Sequence, residues 1–203
     1  MTTIQQPTAT LGGGAAEPEA EVGANGGVPI SLTIGLPFVL LLFAGTYILG
    51  WYNAYRLSIR FLENANQSYQ EGQYLEALTG GEVYNEEEQQ YEQLGGYIDV
   101  ERIWSHRYSW PKPGLVGDAE QRIDEIISQH LTIAQAEQYI QANIGKNAPH
   151  FAEIYLRLGE LYLQEGDEMA ARDIFESVPE LFPRLEDLIQ EAQKYLEELE
   201  QSQ

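Results

Sequence analysis

The chain has 203 residues, 11 basic against 32 acidic, for a formal charge of -21. A surface so acidic repels phosphate backbones and anionic lipid heads and attracts basic segments of other proteins, so nucleic acid is not an expected partner. The absence of cysteine excludes disulfides and thiolate metal sites.

Residues 1–28 combine GGG at 12–14, the acidic run AAEPEAEV and GANGG, with almost nothing aliphatic to pack, and read as a disordered tail. Residues 29–56 read as a transmembrane signal anchor. Within them Ile30 to Trp51 is a run of 22 positions without an ionisable side chain. As a helix this run covers roughly 33 Å, enough for a hydrocarbon core of about 30 Å. No Lys or Arg stands ahead of Arg56, so the basic region of a cleaved signal peptide is missing. Pro29 suits the first helical position, and Pro37 is compatible with insertion.

Arg56 and Arg60 follow the span, whereas the side-chain charges before it are Glu17, Glu19 and Glu21. The bias of basic residues places the N-terminus outside and the C-terminal part in the cytoplasm; the opposite topology gives a translocated envelope protein. Thr46, Gly50 and Ala54 recur four apart and form a candidate face for a second membrane helix. Trp51, Tyr52 and Tyr55 suit the interfacial aromatic belt.

The remainder, residues 57–203, carries 10 basic and 29 acidic side chains and reads as one helical domain. NANQSYQEGQYLEALTGGE at 64–82 reads as a helical pair turning at Gly72, with Gly80 and Gly81 breaking the second helix. EEE at 86–88 reads as a solvated helix face, as does EE at 197–198. Residues 94–117 form the least helical stretch, a loop with Trp104, Tyr108 and Trp110 around Arg102, Arg107 and Lys112. Those aromatics either anchor a partner or fold back over an open end of the domain.

Residues 118–144 read as two helices, through Ile123, Ile126, Ile127 and His130, then through Ile133, Ala136, Ile140 and Ile144. Thr132 and Gln135 form a capping box between them. From Ala152 to Pro183 the apolar positions Ile154, Leu158, Leu161 and Tyr162 share one helical face, and Ala171, Ile174, Phe175 and Val178 another. Gly166 and Asp167 separate the two, one suited to closing a helix and the other to capping the next. In residues 184–203, Leu185, Leu188, Ile189, Ala192, Tyr195, Leu196 and Leu199 define one face of a capping helix.

The order Tyr155, Leu158, Gly159, Tyr162, Ala171, Phe175 and Pro183 resembles the tetratricopeptide repeat, a 34-residue helix, turn, helix. Val178 departs from that pattern. A weaker echo falls on Ala65, Gly72, Tyr74, Ala77 and Leu78. The resemblance implies an all-α stack of helical hairpins after the span, with a binding groove lined by Glu153, Leu156, Glu160, Leu163 and Gln164. Two of those five are acidic, and Leu156 and Glu160 depart from the basic clamp that holds acidic tails. The implied ligand is a basic or amphipathic protein segment.

His106, His130 and His150 are scattered, and no glycine-rich phosphate loop is followed by lysine. The reading is therefore an adaptor without catalytic, metal or cofactor residues, or else an accessory subunit of a larger membrane complex.

Overall fold

The computed structural model describes residues 30–85 and 89–201. The tail read over residues 1–28 and the glutamates at 86–88 lie outside the described residues. The chain divides into two compact units, Met1–Gly45 and Thr46–Gln203. The described residues are mainly helical, an all-α architecture that begins with one long apolar helix, α1 (Ile30–Gln70).

Pro37 lies inside α1, and in the first unit Phe38, Leu40, Leu41, Leu42 and Phe43 are exposed. A soluble helix buries such a face; α1 is long and apolar enough to cross a membrane instead.

In the second unit α1 runs on to Gln70 and becomes a wall of the domain. Phe61, Leu62, Ala65 and Tyr69 pack into a core with α2 (Tyr74–Thr79), α3 (Tyr97–Trp104), α4 (Leu115–Glu125), α5 (Ile133–Asn143) and α6 (Phe151–Glu165). α7 (Glu168–Leu181) and α8 (Glu186–Gln201) complete the stack. Helix α6 is its spine. Ile154 and Leu158 face the first core, while Leu156 joins Phe175, Val178, Ala192 and Leu199 in a second. Each fully buried aliphatic side chain contributes about 1.5–3 kcal/mol, so a helix covered on both sides is tied in twice.

The α6–α7 turn follows from two residues. Gly166 takes the left-handed conformation (φ 83), and the N–H of Asp167 donates to Tyr162 O at 2.9 Å, closing α6. Asp167 then accepts from Ala170 N at 3.0 Å, opening α7. Thr132 and Gln135 form the expected capping box at the start of α5.

Four expectations are corrected. After α2, which ends at the expected glycine break, the chain forms an antiparallel hairpin of β1 (Gly81–Asn85) and β2 (Gln90–Leu94), pairing Tyr84 with Tyr91, where further helix was expected. The first part of the 94–117 loop is helical: α3 buries Tyr97, Val100 and Trp104, and the Asp99 carboxylate accepts from Gly96 N at 3.0 Å to start it. Ile144, placed on the apolar face of α5, lies past its end and is 67% exposed. Leu185 precedes α8 and is also exposed.

The hairpin is held at its base by backbone against backbone. Gly80 has φ 76 and ψ 174, a region open almost only to glycine, and a Cβ there would lie 2.1 Å from Leu94 O. A Cβ at Gly96 would lie 2.3 Å from Gly80 N. Neither neighbour is a flexible side chain that can move aside. Gly80→Ala is therefore expected to cost at least about 2 kcal/mol, whereas Gly72→Ala, left-handed but in open space, should cost about 1 kcal/mol. Chemical denaturation of detergent-solubilised protein, followed by near-ultraviolet circular dichroism, measures both.

Candidate functional site

The five groove positions on α6 do not form an open groove. The apolar face of α8 needs burial and finds it against α6 and α7, which leaves Leu156 only 4% exposed beside Ala192 and Leu199. Glu160 accepts from the hydroxyl of Tyr195 at 2.9 Å and is paired with Arg157. Burial, with that hydrogen bond, pushes the Tyr195 hydroxyl pKa well above its ordinary value. Leu163 and Gln164 border a shallow pocket of about 270 Å³ with Glu160 and Tyr195. Glu153 is engaged by His150. The chain's own last helix thus takes the place expected for a ligand.

Thr46, Gly50 and Ala54 line one wall of an apolar recess of about 400 Å³ whose other wall includes Ile103, Trp104 and Tyr108. The three aromatics of the loop separate into two kinds. Trp104 is 1% exposed; its indole donates to Ser58 Oγ at 2.7 Å, and that hydroxyl donates to Ala54 O at 2.9 Å. Trp104 also meets Trp51 edge to face at 5.5 Å. It is core, not an anchor for a partner. Tyr108 and Trp110 keep exposed rings while α1 grips their backbone: Tyr47 Oη donates to Tyr108 O at 3.0 Å, and Trp51 Nε1 donates to Pro111 O at 2.9 Å.

A third feature had no signal in the sequence. Between α1 and α4 opens a polar cleft of about 680 Å³, with Asn66 on one side and Asp118, Asp124 and Glu125 on the other. Beyond Glu125 the helix widens into a π turn, Ile126–His130, which brings His130 onto Tyr74 as a stacked pair at 4.3 Å. Tyr69 Oη donates to Glu125 Oε1 at 2.8 Å and lies 3.2 Å from His130 Nε2. Arg122 donates to Glu125 at 2.6 Å and covers the Tyr69 ring at 4.6 Å. These donors, Tyr69 first and Arg122 second, hold the Glu125 carboxyl below the usual carboxylate range. The hydrogen bond from Tyr69 to Glu125 raises the tyrosine in turn. Arg122 and Glu125 neutralise each other, so the uncompensated negative charge in the wall of the cleft is that of Asp118 and Asp124. Such a cleft suits a cationic ligand.

No three His, Asp or Glu side chains converge at metal-ligand spacing among the described residues. His150, at the start of α6, lies between Glu101 of α3, 2.7 Å from its Nε2, and Glu153, which bonds its Nδ1. The Glu153 hydrogen bond, reinforced by Glu101 and opposed by burial, raises the imidazole pKa to about 9.

An imidazolium stabilised in the folded state contributes fully below the unfolded value of about 6.5, and that contribution disappears as pH rises through about 9. The shift corresponds to roughly 3 kcal/mol, which solvent screening of a partly exposed pair reduces to roughly 2 kcal/mol of stability lost between these limits through this group. His150→Asn tolerates the left-handed backbone there (φ 57) and removes the charge, so its denaturation midpoint should be nearly flat over the same interval.

No protein-family model, curated protein or solved structure matches the chain.

Proposed function

We propose that the chain is a single-pass membrane adaptor without enzymatic activity, whose tetratricopeptide-like domain holds a protein partner at the membrane surface. The observation that carries this reading is the build of α1. Its uncharged stretch runs to Tyr55, and the same helix, through Phe61, Leu62, Ala65 and Tyr69, supplies a wall of the acidic domain's core. The hairpin of α6 and α7 supports the repeat resemblance. A Cβ at Gly159 would fall 2.5 Å from the Phe175 ring, so the two helices approach as closely as small residues in those slots permit.

The adaptor takes up a basic or amphipathic segment in the cleft beside Asp118 and Asp124, since α8 covers the α6 face. Asp118→Lys with Asp124→Lys should lower recovery of the crosslinked partner from native membranes by about tenfold or more, as expected for losing two charge contacts of about 1 kcal/mol each. Unchanged recovery defeats the assignment to this cleft. Arg56 and Arg60, with no Lys or Arg among residues 1–29, support a cytoplasmic orientation of the domain. Protease protection tests that orientation: a domain cleaved only from the opposite face of intact membranes makes this a translocated envelope protein.

One observation favours a second reading, that of an accessory subunit contacting a larger complex through its span. A Cβ at Gly50 would meet nothing within 4 Å, which leaves room for another helix beside Thr46 and Ala54. Under that reading Gly50→Leu with Ala54→Leu releases the chain from its complex in mild detergent and the aspartate substitutions do not.

A further inference from the structure

The connection between α3 and α4, residues 105–114, combines features that the adaptor reading does not use. Trp110 is 75% exposed and Tyr108 62% exposed, although an indole ring left in water forfeits a large apolar surface. Arg107 and Lys112 beside them are exposed as well. This connection does not hang free, because side chains near the end of the uncharged stretch of α1 grip it. Tyr47 donates to Tyr108 O and Trp51 to Pro111 O. The exposed rings are therefore held at the level of Tyr47 and Trp51 of α1, nine and five residues before Arg56, the first charge after the span.

Charge is distributed to match. From residue 22 to residue 62, and again from residue 102 to residue 117, the chain has no Asp or Glu. Those two stretches hold Arg56, Arg60, Arg102, Arg107 and Lys112, five of the 11 basic residues of a chain whose formal charge is -21. The chain as a whole repels an anionic bilayer, whereas Arg56, Arg107 and Lys112 attract one; Arg102 is already paired with Asp99. The hydrogen bonds point the same way. Backbone carbonyls brought near hydrocarbon need donors other than water, and Tyr47 and Trp51 already supply them at residues 108 and 111.

We propose that residues 105–113 form a second membrane contact: the rings of Tyr108 and Trp110 enter the boundary between headgroups and acyl chains, and Arg107 and Lys112 bind anionic lipid phosphates. The proposal rests on α1 crossing the bilayer. The contact gives the domain a fixed face toward the membrane, because a span alone leaves it free to rotate about the helix axis.

The absence of native cysteine allows the test to be made on the full chain. Single spin labels are placed at Ile48→Cys, Ser109→Cys and Lys194→Cys, and the protein is reconstituted in phosphatidylcholine liposomes with or without phosphatidylglycerol. Depth is read from relative accessibility to oxygen and to a nickel chelate. The proposal expects position 48 in hydrocarbon, position 109 at headgroup depth and position 194 in water. It also expects position 109 to be several-fold more accessible to the chelate when phosphatidylglycerol is omitted or when Arg107 and Lys112 are both changed to Gln.

Position 48 in hydrocarbon with position 109 as wet as position 194 overturns the second contact and leaves the span standing. Position 48 in water removes the span and the proposal together. Headgroup depth at 109 that ignores both lipid charge and the Gln variants overturns the phosphate contact. Protection of 109 in native membranes but not in liposomes assigns the loop to a protein neighbour and likewise overturns it.

Discussion

Helix α1 runs from a stretch long and apolar enough to cross a membrane into the wall of a packed core without changing its secondary structure, and the helical domain depends on that continuity. Helical backbone satisfies its own hydrogen bonds, so the same conformation serves in hydrocarbon and in a packed protein core. What differs is the source of burial. Phe38 through Phe43 are largely exposed, whereas Phe61, Leu62, Ala65 and Tyr69 bury themselves against α2 to α6. Without that second half the first core would lack a wall, because α2 is only six residues long and the β1–β2 hairpin exposes Val83, Tyr84 and Tyr91.

The spine helix α6 imposes the complementary constraint. A hairpin with apolar residues on both faces of one helix must find two neighbours, and α6 finds α5 on one side and α7 with α8 on the other. Covering Leu156 with α8 stabilises the end of the stack and removes the concave face that a longer repeat array would offer. The largest polar opening among the described residues lies elsewhere, between α1 and α4, lined by Asp118 and Asp124.

Local signals in the sequence were sufficient for the parts of this arrangement that local chemistry decides. Gly166 and Asp167 close one helix and open the next within two residues, and Thr132 with Gln135 starts α5, all through bonds between near neighbours. The periodicity around Phe175 shows what is buried there, though not that both faces of α6 are. The contacts that define the candidate sites join distant residues: Tyr69 with Glu125, 56 positions apart, and Trp104 with Ser58, 46 apart. No spacing rule reports such pairs. Trp104 illustrates the cost, since in a run of aromatics around prolines it resembles its neighbours Tyr108 and Trp110, yet it lies on the last turn of α3 and is core. The β hairpin was concealed for a related reason: Gly80 breaks a helix in any context, and only its close approach to Leu94 and Gly96 turns that break into a strand pair.

Aromatic side chains do two kinds of work where the uncharged stretch meets the domain, and the polar atom of each decides which. Trp104 points its N–H inward to Ser58, so its whole ring can be buried at no loss of a hydrogen bond. Trp51 and Tyr47 turn their donors toward the 108–111 backbone, fastening a segment that has no regular structure of its own to a helix that does. Trp110 and Tyr108 are held by their backbones and keep their rings exposed, that of Tyr108 beneath the Arg107 guanidinium at 4.6 Å. A side chain positioned by its backbone and exposed by its ring is arranged to meet something outside the chain, and beside a helix long and apolar enough to cross a membrane a bilayer would supply it.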